Sequence, residues 1–314
     1  MTGNGGENPV HDLHLMDIIA GSRLKAAVKA CPTHPRRMRS FHKAAIVLCL
    51  PVTAQAVTYI DYTSPGVAYG VNGAAIYTLA APYSSAGTGN FGGYLMVLGN
   101  TPVISGISTD SNTVMPDVTA SQTSALPYAT LNNSSYTIGV NGTGNYISFG
   151  LDLNEPNNAD SFVSIDVVKI YHSSIANPTA SSLSNFLAGN PSLVWDMDAG
   201  TDGDVSLLVD SSLTSGSGQA NMGFAIPKEY FSTFNSGYFF IYYSEGAAGT
   251  INGKVYGNAG GFEEFGLIAG QTNINTAQLS NVTPERQSVT SAPEPSAALL
   301  GSLSLLGLLR RRRG

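Results

Sequence analysis

From residue 57 to residue 177 the chain holds no helix-period segment of any length. Its apolar residues come instead in short runs of β-branched and aromatic side chains. Glycine (35 in the whole chain), with Ser, Thr and Asn, punctuates those runs. Short strands bounded by turn-formers belong to sandwiches and barrels, whereas a parallel α/β sheet needs long helices between its strands. No internal repeat is found, which removes solenoids and propellers. The expected fold is an all-β, antiparallel β-sandwich, jelly-roll-like, with short helical turns. The body, 57–285, is about 230 residues, enough for one large domain of this kind.

Taken in order, 57–63 alternates like an edge strand, and 74–79 and 93–98 follow as strands. The Ser/Thr/Pro-rich stretch 101–131 is weakly patterned and fits either short edge strands or long loops. Segments 136–140 and 146–153 read as a hairpin around Asn141-Gly142, the strongest short-range hairpin signal. The best-defined strand is 162–171, where Val163, Ile165 and Val167 alternate with Ser164 and Asp166. At Val167-Val168 the phase slips, with Val168 and Ile170 continuing the apolar face and Lys169 turned outward, so a bulge is expected there. A helical turn over 182–187, strands 193–195 and 205–209 about an acidic loop, and a strand 222–227 come next. A short helix is expected over 228–234. Residues 238–243 (YFFIYY) are apolar on both faces and predict a central, covered strand, and 260–268 is the last.

The front of the chain carries a complete secretory signal that starts at Met38. Arg39, His42 and Lys43 form its basic region, 44–50 its apolar core, and Ala54-Gln55-Ala56 places small residues, Ala54 and Ala56, where signal peptidase cuts. Residues 1–37 are then a start-site artefact or an extension. A lipobox at Cys49 is ruled out by Leu48 just before it. Cys31 and Cys49 both precede the cut, so the exported chain has no cysteine and no disulfide to lean on.

Removing the ends also changes the charge. The whole chain is −6, but eleven of its 15 basic residues lie before residue 57 or in the final turn of the tail. Between residues 57 and 292 the chain keeps Lys169, Lys228, Lys254 and Arg286 against 17 acids, a net −13. Such a surface excludes nucleic acid as a partner and suits cations or neutral partners. His172 is the single histidine left, which argues against His-based metal sites and Ser-His-Asp chemistry.

The tail, 293–314, has three parts in fixed order: Pro293-Glu294-Pro295, an apolar run 296–309, and Arg310, Arg311, Arg312 and Arg313. The prolines keep the triplet extended. As a helix the run spans roughly 21 Å, short of the ~30 Å hydrocarbon core. The arginines snorkel to the headgroups and stay on the cytoplasmic side, which sends the triplet to the opposite face. A C-terminal transmembrane sorting helix is expected, with 286–292 as a linker. "APEPSAALLGSLSLLGLLRRRRG" resembles the PEP-CTERM sorting signal of Gram-negative bacteria, also called the ice-binding protein C-terminal motif. That resemblance implies recognition by an exosortase, cleavage near the triplet, an inner-membrane intermediate held through 296–309, and delivery to the cell surface or exopolysaccharide matrix. An ordinary C-terminal anchor is the plain alternative. Blocks between Gly150 and Leu267 also resemble a body recurrent in other proteins with this tail, which implies one domain and carries no reaction with it.

Candidate sites are acidic. Asp196, Asp198, Asp202 and Asp204 alternate in a Gly-relaxed loop, and alternating carboxylates can fold around calcium (Ca2+). The spacing is not an EF-hand: Gly200 comes a place early and Leu207 stands where the bidentate Glu belongs. A solvated hairpin is the bland reading. The oxygen-rich segment 152–160 reads first as turn chemistry and second as a ligand site. Glu263 and Glu264 sit side by side in an apolar strand, so one is expected in solvent and the other inward, partnered by Lys254 or a metal. Paired carboxylates also make glycosidases, given the required separation. His172 is expected at a strand end on the surface. Trp195 and the tyrosines fit either core or a sugar-stacking platform. Together these features predict a non-enzymatic, exported surface or matrix protein with a structural or adhesive role and calcium as a stabilising ion. A secreted carbohydrate-active enzyme and a glycan or ice binder are the rivals.

Overall fold

A strand that alternates at period two buries one face only by meeting another layer, and the strands of this chain do so against each other. The computed structural model describes residues 57–79, 93–139, 145–156, 161–199, 203–213 and 218–269, with the backbone of 288–289. The chain divides into two units. The first, Met1–Leu50, lies outside those residues, and the second, Pro51–Gly314, carries all of them.

The first strands are β1 (Thr58–Tyr62), β2 (Ala68–Val71), β3 (Ala74–Thr78), β4 (Gly93–Leu98), β5 (Ile104–Ile107), β6 (Leu126–Pro127), β7 (Thr137–Ile138) and β8 (Tyr146–Asp152). There follow β9 (Phe162–Ser173), β10 (Ser192–Asp196), β11 (Val205–Asp210), β12 (Met222–Pro227), β13 (Tyr238–Glu245), β14 (Gly249–Ile251), β15 (Lys254–Tyr256), β16 (Phe262–Leu267) and β17 (Ser288–Val289). Two short helices, α1 (Tyr128–Leu131) and α2 (Leu183–Leu187), interrupt them. One sheet runs β17-β1-β11-β9-β13-β5, with β10 beside β9 and β6 beside β13. The other runs β2-β3-β12-β8-β16-β4, with β7 beside β8, and β14 and β15 form a hairpin of their own.

The two sheets share one core. Ile165, Val168 and Ile241 of the first meet Phe149, Phe224 and Phe265 of the second in a single buried cluster, where the Phe224 and Phe265 rings lie 5.2 Å apart. Each such side chain stabilises the fold by roughly 1.5–3 kcal/mol relative to exposure. The central strand β13 is covered on both faces, as its sequence predicts. Ile241 enters the shared core, while Phe240 on the opposite face meets Phe186 of α2 at 5.3 Å. Ser182 caps α2, its hydroxyl accepting from the Asn185 amide at 3.1 Å.

Several expectations shift. The bulge in β9 falls at Asp166, one residue earlier than the phase slip suggests: Ser244 pairs with Val167 and Glu245 with Ile165. The extra residue turns its carboxylate to the Ser164 and Ser206 hydroxyls and the Ala247 amide, which replace the ladder bonds it lacks. β1 is not an edge, because it lies between β11 and β17. Its pairing with β11 is parallel, so the antiparallel expectation fails at that pair. No hairpin joins β1 and β11, and chain connection imposes no antiparallel sense on them. The helix expected over 228–234 is a single 3₁₀ turn, Lys228–Tyr230. In 101–131 both alternatives are met. β5 and β6 are short strands, and the loops between are held by carboxylates, Asp117 accepting from the Ser105 amide and Asp110 from the Ala125 amide. β7 and β8 form the expected hairpin arms, with Thr137 opposite Ile147. Among the described residues no helix is long and apolar enough to cross a membrane.

Candidate functional site

Three strand ends bring three glutamates together between the sheets. On β13, Glu245 is in phase with the core residues Phe239, Ile241 and Tyr243 and closes the strand. On β16, Glu263 is in phase with Phe265 near the strand's start. Glu155 follows β8 and the buried Leu153. Period-two alternation therefore aims the first two carboxyls at the core, at the end where their apolar runs give out. One oxygen from each of Glu155, Glu245 and Glu263 lies within 4.8 Å of the others, and the residues are 5, 0 and 1% exposed.

The surroundings satisfy this cluster unevenly. The Tyr243 hydroxyl donates to Glu245 Oε2, and the Ala259 amide donates to Glu155 Oε2 at 2.9 Å. Neither oxygen of Glu263 has a well-formed hydrogen bond among the described residues; the Asn154 amide and the Glu245 carboxyl are its near polar neighbours. Burial pushes the Glu263 carboxyl well above the usual carboxylate range, the Glu245 and Glu155 carboxyls push it further, and the nearby Asn154 amide offsets only part of the rise. Burial likewise raises the Glu245 carboxyl, against the opposing effect of the Tyr243 hydrogen bond. Protons in such a cluster belong to the pair and not to either side chain. The loop over it fits closely: a Cβ on Gly261 would lie 2.3 Å from the Asn154 carbonyl oxygen and 3.0 Å from Glu263 Oε1.

The Glu263-Glu264 expectation is thus half corrected. Glu263 is inward, but Glu264 is not solvated; it is 3% exposed and pairs across the ladder with Asp152. Residues such as Tyr77, Leu79 and Ala225 make the second face of that sheet a covered one as well. Nor does Lys254 partner Glu263. Its ammonium sits 4.1 Å over the Phe162 ring, because the β14–β15 hairpin packs with Tyr59, Leu208 and Phe162 on the outer face of the first sheet. Neither Glu245 nor Glu263 is open to a glycosidic oxygen at the exposure given above.

Asp152 forms a second buried acid. Its Oδ2 accepts from the Gly218 amide at 2.6 Å. Burial raises its pKa from 3.8 to about 7, Gly218 opposing and Glu264 reinforcing the rise. A carboxyl whose folded pKa is raised holds its proton more tightly in the fold than in the unfolded chain. Its stabilising contribution is full below about pH 4 and is lost as pH rises through about 7. Urea unfolding across that window is expected to show Asp152→Asn losing less stability than wild type as pH rises, by on the order of 2–3 kcal/mol. Superimposable pH profiles would contradict the burial of this group.

The aspartate loop is partly neutralised from within the protein. β10 pairs with β9 so that Asp196 faces Lys169, whose ammonium lies 2.8 Å from Asp196 Oδ2 and 4.0 Å from Asp198 Oδ2. Asp196 Oδ1 accepts from the Asp198 amide, and Asp198 Oδ1 from the Val205 amide at 3.1 Å. Burial lifts Asp198 to about 6, the Val205 amide opposing. The Asp204 carbonyl accepts from the Thr58 amide, and Asp202 lies outside the described residues. Lys169 supplies part of the counter-charge for which the sequence suggests an ion.

No family model matches this sequence, and neither a curated protein nor a solved structure is significantly similar to it. The remaining sequence-derived residues are placed simply. His172 Nε2 lies 2.7 Å from the Ser236 carbonyl, with its ring stacked on Phe234 at 4.0 Å. Trp195 is core, 2% exposed. Ala54, Ala56, Pro293 to Pro295 and Arg310 to Arg313 lie outside the described residues, as do Asn157, Asn158 and Asp160. Sequence reasoning passed over Glu245, although its phase with Tyr243 and Ile241 is the signal that marks it as inward.

Proposed function

We propose that this chain is an exported, non-enzymatic β-sandwich protein that an exosortase releases from the inner membrane to the cell surface or exopolysaccharide layer. Its role there is structural or adhesive. The observation that carries the reading is the order Pro293-Glu294-Pro295, apolar run, four arginines, behind a signal that ends at Ala56. As a helix, the apolar run 296–309 would be too short for a comfortable permanent anchor, and its guanidinium groups would keep that end inward. The body suits this destination. It carries a net −13 without cysteine. We further read the winding as jelly-roll-like: β8 and β12 pair in one sheet while the strands that follow them, β9 and β13, pair in the other. The same reading keeps calcium at the 196–204 loop as a stabilising ion that adds to Lys169.

Glu294→Ala tests the sorting step. Cell fractionation is expected to find the variant retained in the membrane fraction while the wild-type body appears at the surface or in the medium. Release of the variant at the wild-type level would refute the tail's assignment.

A further inference from the structure

We propose that Glu155, Glu245 and Glu263 form a site for one divalent cation of the calcium class, placed between the two sheets. Three observations converge on it. One oxygen from each side chain lies within 4.8 Å of the other two, a spread that fits around a single ion with Ca–O distances of about 2.3–2.6 Å. All three residues are at least nine-tenths buried, and neither oxygen of Glu263 has a well-formed hydrogen bond among the described residues, its near polar neighbours being the Asn154 amide and the Glu245 carboxyl of the cluster itself. Its strand neighbours are apolar or glycine apart from Glu264, which points the opposite way, so the orphaned carboxyl is aimed into the cluster and nowhere else.

The donor chemistry selects the ion. Carboxylate oxygens alone favour a hard cation over zinc or copper, which draw on Cys and His, residues this body nearly lacks. Three carboxylates drawn together without water repel one another and lose their hydration; a doubly charged ion offsets both costs at once. The ligands also come from three places in the fold: β13 of one sheet, β16 of the other, and the segment after β8. An ion there joins the sheets at the end where their apolar contacts stop. It also holds down the 258–261 loop, whose Ala259 amide already binds Glu155 and whose Gly261 closes on Asn154. In a chain without disulfides, this site takes the place of a covalent staple.

This site is distinct from the 196–204 loop, and its test separates the two as well as the sorting question. The full chain, purified in mild detergent and stripped with chelator, is titrated with calcium alone by calorimetry and melted with and without it. Uptake of one calcium at the glutamates is expected to raise the melting temperature by about 5 °C or more at saturating calcium. Glu263→Gln and Glu155→Gln, which keep side-chain shape, are each expected to weaken that uptake at least about tenfold. Asp196→Asn with Asp198→Asn is expected to leave it unchanged. As a second readout, terbium in the site is sensitised by the adjoining Tyr243, so Tyr243→Phe lowers tyrosine-excited emission several-fold. Terbium in the aspartate loop would be sensitised by Trp195 instead. No calcium uptake by the stripped chain, uptake unaffected by both glutamine variants, or uptake lost with the two asparagines and not with the glutamines would each overturn the proposal.

Discussion

Gly246→Ala is expected to destabilise the protein by roughly 3–5 kcal/mol, enough to unfold much of a domain whose total stability is of order 5–15 kcal/mol. Gly246 follows β13 with φ at +87°, in the region that costs a residue with a Cβ about 1–2 kcal/mol. The larger part comes from contact. The new Cβ would lie 1.9 Å from the Pro102 carbonyl oxygen and 3.1 Å from the Asn258 amide, both backbone atoms. Those two atoms are hydrogen-bonded to each other at 2.9 Å, and the Gly246 amide donates to the Ser164 carbonyl at 2.8 Å, so a shift of any of them strains a backbone hydrogen bond. The turn that sets Glu245 opposite Glu263 would move with them. Gly249→Ala is the control: its φ is +66° and nothing lies within 4 Å, so only the backbone cost of about 1 kcal/mol is expected. Urea midpoints of the two variants check the difference, and equal losses would contradict the close packing at Pro102.

Trp195→Ala is expected to cost about 3–5 kcal/mol. Trp195 is the one tryptophan of the chain and 2% exposed, and its loss leaves a large void in the shared core. Its indole N–H donates to the Asn72 carbonyl at 3.1 Å, and the Asn72 side-chain amide returns to the Asp196 carbonyl at 2.7 Å. Those two bonds tie the β2–β3 turn of one sheet to β10 of the other. Asn72 holds φ at +42°, a conformation asparagine tolerates better than most residues with a Cβ. Trp195→Phe keeps much of the apolar contact and loses the hydrogen bond, so about 1–2 kcal/mol is expected. Circular dichroism in urea reads both variants; a Trp195→Ala loss under 1 kcal/mol would contradict the core placement.

The legible part of this fold was local. Val163 and Ile165, then Val168 and Ile170, announce both the strand and its bulge within ten residues of chain. The double-faced character of 238–243 announces a covered central strand. Pairings across long separations left no such trace. Nothing local says that β1 lies parallel to β11, or that Lys169 stands opposite Asp196 once β10 folds back. The acidic centre shows both limits. Alternation marks one of Glu263 and Glu264 as inward without saying which, and the partners Glu155 and Glu245 come from distant parts of the chain. The burial of Glu264 depends on segments remote in sequence, among them Gly93 and the 121–124 stretch, which lie beside it on the sheet's second face.

Export followed by removal of the tail is the claim on which the functional reading rests, and the intact mass of protein recovered from the cell surface or medium tests it most directly. The predicted mass is that of a chain that begins near Val57 and stops near Pro293, without the apolar run and its arginines. A recovered chain that still ends at Arg313-Gly314 would contradict it.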